Sequence, residues 1–132
     1  MKVFLGGTCN ESIWREELIS YLKIDYFNPV VNDWTEECII EERRQREICD
    51  YCLYVITPKM SGVYAIAEVI DDSNKRPLKT IFCYLRKDRD LEFSVGQIKS
   101  LEAVGTMVQK NGGKFIRTLG EVAYCLNKEI GK

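Results

Sequence analysis

One carboxylate, Glu68, stands inside an apolar run from Val63 to Ile70 in which only it and Tyr64 carry polar groups. The chain has no histidine, so acid–base chemistry falls to carboxylates, tyrosine, lysine or cysteine. A carboxylate can carry a proton or attack an electrophilic carbon. Tyr64 and Glu68 are four residues apart and share a face if the run is helical. Two readings of Glu68 are open. It faces water opposite a core stripe of Val63, Ile66, Ala67 and Ile70, or it faces a ligand at the mouth of a strand–loop–helix unit.

Two other groups of residues are chemically notable and less specific. Gly6-Gly7-Thr8-Cys9-Asn10 joins an apparent strand to a helix, an arrangement whose backbone N–H groups can hold a phosphate. It is neither a Walker loop nor GxGxxG, and a tight turn without a ligand is the plainer reading. Cys49 and Cys52 form a CxxC, but no second pair or histidine completes a metal site. The pair spans a helix end and a strand start, the wrong polarity for a redox thiol. The six cysteines therefore read as buried free thiols in a reducing compartment. No metal and no cofactor is expected.

The elements that must position these residues alternate along the chain. Apolar runs predict strands at Lys2–Gly6, Ile24–Asn28, Tyr51–Ile56, Lys79–Leu85 and Lys114–Ile116. Helical spacing predicts a helix over Glu11–Leu22 through Ile13, Trp14, Leu18, Tyr21 and Leu22. Thr35 caps a second helix running to about Cys49, where the pairs Glu42–Arg46 and Arg43–Glu47 are expected on a solvated face. Thr57-Pro58 stops the third strand, and Ser61-Gly62 starts the helix that holds Glu68, with serine as its cap. Arg86 to Glu92 reads as a charged loop. A helix follows from Ser94 to Asn111, with Ile98, Leu101, Val104 and Val108 on one face. Thr118 caps the last helix, Leu119–Ile130. This alternation predicts a single-domain three-layer α/β/α sandwich, Rossmann- or flavodoxin-like, around a five-stranded mostly parallel sheet.

At 132 residues one core is expected, and a formal net charge of −1 excludes an electrostatic binder of nucleic acid polymers. No apolar run approaches the ~20 residues that cross a bilayer, and the N-terminus does not read as a secretory signal. A cytoplasmic location is expected.

The order of motifs resembles the nucleoside 2-deoxyribosyltransferase superfamily, in particular its small deoxyribosyltransferase-like branch. The shared order is strand–Gly6-Gly7-Thr8–helix, an Asn28-Pro29 loop with Asp33-Trp34, an acidic helix, Asp50 before a strand, and Ser61-Gly62 with Glu68 six residues after the glycine. The likeness covers roughly residues 2 to 85. It implies a glutamate that attacks C1′ of a deoxyribose, and that residue is Glu68. The second family carboxylate, eight residues before the acid that opens the third strand, falls on Glu42. Phe4, Trp34 and Tyr64 are then walls for the nucleobase. Phe4 stands where many members have a tyrosine, and it cannot donate that tyrosine's hydrogen bond. In the branch acting on deoxynucleoside 5′-monophosphates, the matching phosphate region is Gly6, Gly7, Thr8, Asn10 and Arg15, with Ser61 nearby; Gly62 is a further substrate-binding residue that the resemblance implies. The implied partner is a small nucleoside or nucleotide. A homo-oligomer is implied too, with Ala65 and Val69 as a second apolar face on their helix. Two other functions stay open: a non-catalytic nucleotide-binding or sensor module, and an NAD-type glycohydrolase.

Overall fold

A computed structural model describes residues 1–31 and 33–128. In chain order the elements are β1 (Lys2–Gly7), α1 (Trp14–Ile19), β2 (Asp25–Phe27), α2 (Glu36–Ile48), β3 (Tyr51–Ile56), α3 (Tyr64–Lys75), a 3₁₀ turn (Pro77–Lys79), β4 (Thr80–Tyr84), β5 (Lys87–Asp88), β6 (Leu91–Glu92), α4 (Val95–Lys110), β7 (Lys114–Phe115) and α5 (Leu119–Asn127).

Side chains alternate across a strand, and here the alternation divides the core in two. Val3, Leu5, Leu53, Val55, Ile81 and Cys83 point to one face, where Trp14 and Leu18 of α1 and Val122 and Leu126 of α5 cover them. Phe4, Cys52, Tyr54, Ile56, Phe82 and Tyr84 point to the other, under Val69 of α3 and Leu101 and Val108 of α4. Burial on both faces explains why these strands read as continuous apolar runs. Five parallel strands lie in the order β2-β1-β3-β4-β7, so the chain is an α/β sandwich of the expected kind. Thr35, Ser94 and Thr118 cap their helices through their side chains, and Ser94 closes a capping box with Gln97. Among the described residues no helix is long and apolar enough to cross a membrane.

Several local expectations are corrected. The first helix is confined to Trp14–Ile19, because Asn10 and Glu11 adopt φ of 33° and 64° and carry the loop onward. Tyr21, expected in the core, lies beyond that helix and is exposed. The charged stretch after β4 is not all loop: β5 and β6 pair as a small antiparallel hairpin. The pairs Glu42–Arg46 and Arg43–Glu47 give way to other contacts, since Arg46 turns inward to α3 and Glu41 pairs with Arg44. Ser61 is not a cap: α3 begins at Tyr64 after Val63, with no side-chain cap. The inward stripe of α3 is Ala65, Ile66, Val69 and Ile70, while Val63 and Ala67 are exposed. Ala65 and Val69 thus belong to the core and give no second face. The end of the last predicted helix, Glu129 and Ile130, falls outside the described residues, as does Asn32.

Candidate active site

β1 sits between β2 and β3, so the chain leaves it in opposite directions, and the crevice beyond its carboxyl end is the switch point where open α/β sheets bind ligands. The backbone there is tightly specified. Gly7 has φ of +117°, and a Cβ on it would lie 2.0 Å from the Val55 carbonyl oxygen, so only glycine fits. Thr8 donates its N–H to Val55 O at 2.9 Å, and its hydroxyl accepts from Thr57 N–H at 3.0 Å. Asn10 Nδ2 then donates to Lys59 O and Ser61 Oγ, both at 2.8 Å, tying the first loop to the third. Asp88, from the hairpin, accepts from the Ser12 and Thr57 hydroxyls and fastens the same rim.

A cavity of about 400 Å³ opens inside this rim, lined by Gly6, Gly7, Thr8, Asn10, Arg15, Trp34, Glu42, Ser61, Gly62, Tyr64 and Glu68, together with Cys9, Pro29, Ile56, Met60 and Ala65. A second cavity of about 290 Å³ shares Trp34, Glu42, Tyr64 and Glu68 and adds Ile39, Arg43 and Arg46. The carboxylates thus stand where two hollows meet. Phe4 is the sequence-selected residue that lies elsewhere. It is 1% exposed, packed between Phe27 and Tyr54, and lines neither cavity, because strand alternation turns it into the core. Arg15 is buried beneath the turn. It donates to the carbonyls of Leu5 (3.0 Å), Thr8 (2.7 Å) and Gly7 (3.3 Å), bracing the glycine loop.

Glu68 is held on α3, 9% exposed. Its carboxyl group adjoins that of Glu42 on α2, close enough for the two to share a proton. Burial, and next the neighbouring Glu42, push Glu68 up to about 7, while the Arg46 guanidinium pulls it down. Burial also raises Glu42. Two like groups that share a proton titrate as a pair, which gives near neutrality one proton donor and one carboxylate. Arg46 Nη1 lies 3.4 Å from Glu68 Oε2. Sequence reasoning placed Arg46 on a solvated face with Glu42 and did not single out its partners Asp72 and Tyr54. A signal for Asp72 was present: Tyr64, Glu68 and Asp72 recur every four residues on one face of α3.

The CxxC carries no chemistry here. Cys49 and Cys52 are buried free thiols that donate to Gln45 Oε1 and the Arg46 carbonyl, and burial pushes Cys52 up to about 12. Among the described residues no cluster could hold a metal ion.

The family model described as nucleoside 2-deoxyribosyltransferase like matches residues 1–83. The chain belongs to that family. The matched stretch runs from β1 into β4 and contains both carboxylates and every residue lining the two cavities. The deoxyribosyltransferase-like part therefore lines the crevice, while the β5–β6 hairpin braces its rim and α4, β7 and α5 complete the sandwich. No curated protein and no solved structure gives a significant match to the chain.

Proposed function

We propose that the protein cleaves, or transfers, at the N-glycosidic bond of 2′-deoxynucleosides, with Glu68 attacking C1′ and Glu42 managing the proton. The observation that carries this reading is the carboxyl pair at the junction of two cavities, where Glu42 and Glu68 are close enough to share one proton. In the reactive form the shared proton has passed to Glu42. Ionised Glu68 forms a bond to C1′ as the C1′–N bond breaks, and the bonding pair leaves with the base. Glu42 gives its proton to that base nitrogen. Water or a second base then attacks C1′, releases Glu68 and returns a proton to Glu42. An anomeric carbon reacts through an oxocarbenium-like state, which an adjacent carboxylate both stabilises and captures. Trp34 and Tyr64 offer apolar walls to a base.

Arg15 is the cation among the lining residues of the larger cavity, and its donors are engaged by main-chain carbonyls. This favours the nucleoside over its 5′-monophosphate. Incubation with deoxynucleosides, their monophosphates and NAD, with free base followed by chromatography, tests the reading. Base release from deoxynucleosides first is expected. Release from NAD alone would assign a different glycohydrolase, and nucleotide binding without release would make the crevice a binding module.

The same reading includes a second copy of the chain over the cavity mouth, where Trp34 and Tyr64 are 58% and 69% exposed. Light scattering at micromolar concentration should return a dimer or larger. A monomer with full base release would remove this part of the proposal.

A further inference from the structure

We propose that Arg46 is the positioning residue for Glu68: a guanidinium locked from behind by Asp72 and Tyr54 that holds the attacking carboxylate at the cavity junction. The proposal rests on the reading of Glu68 as the attacking group. It starts from Phe4, whose ring has no hydroxyl to offer and lies in the core. The orienting contact on Glu68 comes instead from α2, where Arg46 Nη1 approaches Oε2 at 3.4 Å.

The fork of Arg46 has little freedom. Nε and Nη2 donate to the two oxygens of Asp72 at 3.2 and 2.9 Å, a bidentate clamp that fixes the plane of the group. Asp72 is fully buried and is held in turn by the Tyr54 hydroxyl and by Arg76 Nε at 3.0 Å. Asp71 takes a further contact with Nη2 at 3.4 Å. With one edge clamped, Nη1 points where the fork directs it, at Glu68. Two helices and a strand therefore set one direction, and a tyrosine on β3 supports the carboxylate through a relay of two charged groups.

The groups facing Glu68 are Glu42 and Arg46 from α2, Tyr54 from β3, and Asp72 from its own helix; Arg15 of α1 and Arg43 of α2 stand beside Glu42. Glu42 and Asp72 favour the protonated acid, and Arg46 opposes them. Without Arg46 the carboxyl would hold its proton to higher pH, and the carboxylate would lose its fixed orientation.

The test is a ¹³C titration of the glutamate side-chain carboxyls, with the Glu68 signal assigned by its loss in Glu68→Gln, in wild type, Arg46→Gln, Arg46→Lys and Tyr54→Phe. The Glu68 midpoint should rise by about one unit or more in Arg46→Gln and by less in Arg46→Lys, which keeps a charge without the fork. The acid limb of base release should move up with it, and kcat should fall ~10–100-fold while KM stays within about threefold. A midpoint that does not move in folded Arg46 variants overturns the proposal. If Arg46→Gln does not fold, Arg46→Lys and Tyr54→Phe decide by the same midpoint. Absence of base release in the wild type would refute the proposed reaction, yet the titration would still judge the hold of Arg46 on Glu68.

Discussion

Glu68→Gln is expected to abolish base release and, in the same protein, to raise thermal stability at pH 8. The rate effect follows from removal of the attacking oxygen. An amide cannot form the glycosyl ester, so a loss of at least ~10³-fold in kcat is expected. The stability effect follows from the proton. Burial, and then Glu42, raise Glu68 to about 7 in the folded state, whereas an unfolded glutamate titrates near ~4.3. Between those values the folded chain binds the proton that the unfolded chain has released. Stability is therefore greatest below the unfolded value and declines as pH rises through about 7. At pH 8 the wild type carries a buried, ionised Glu68 beside Glu42. Glutamine keeps the shape and sheds the charge, which should stabilise by about 1–3 kcal/mol, or roughly 4–11 °C for a domain of this size. At pH 5 the gain should shrink to about a third of that. Calorimetry at the two pH values, with base release followed in parallel, checks both halves. Release within tenfold of wild type would dismiss Glu68 as nucleophile, and an equal gain at both pH values would dismiss its raised proton affinity.

That Glu68 and most of the cavity lining were legible in the sequence, and the cluster of Arg46, Asp72 and Tyr54 behind Glu68 was not, has a physical cause. A lone acid in an apolar helix is visible from composition alone. The phase of that helix is not, because six of its neighbours between Val63 and Ile70 are apolar, in nearly every direction, and several stripes fit equally well. What chooses between them is tertiary: Asp72 and Glu68 turn inward to meet Arg46, and this carries Val69 into the core and leaves Val63 in water. The Glu42–Arg46 spacing was real but lost to a buried competitor, since a fork clamped bidentately to Asp72 is held better than one reaching along its own helix in solvent. The strands and their layers were readable because burial on both faces leaves continuous apolar runs. Phe4 shows where such a run stops informing: alternation assigns it a face without saying that the face is closed. The Asp88 bridges to Ser12 and Thr57 join residues 76 and 31 positions apart, and no local pattern announces them.

Asp72 is where the fold and the site meet, and its replacement should be the most costly to stability. Asp72→Ala removes the acceptor for Arg46 Nε and Nη2, for Arg76 Nε and for the Tyr54 hydroxyl at a fully buried position. Breaking a buried ion pair by deleting one partner leaves the other charge uncompensated, so a loss of about 3–5 kcal/mol is expected in urea denaturation. Against the 5–15 kcal/mol of an ordinary domain, that is a large share of the total. Asp72→Asn should cost less, since an amide oxygen still accepts, and it should have a second effect of known sign. The Asp72 charge helps hold the proton on Glu68, and the Arg46 fork is divided between the two. With the Asp72 charge gone, the repulsion disappears and Arg46 is freer to serve Glu68. The Glu68 midpoint should then fall below about 7, and the acid limb of base release should move down with it. This is opposite to the shift expected on loss of Arg46. A fall in stability with an unmoved Glu68 midpoint would make Asp72 a structural anchor alone, electrostatically separate from the carboxylate that it faces.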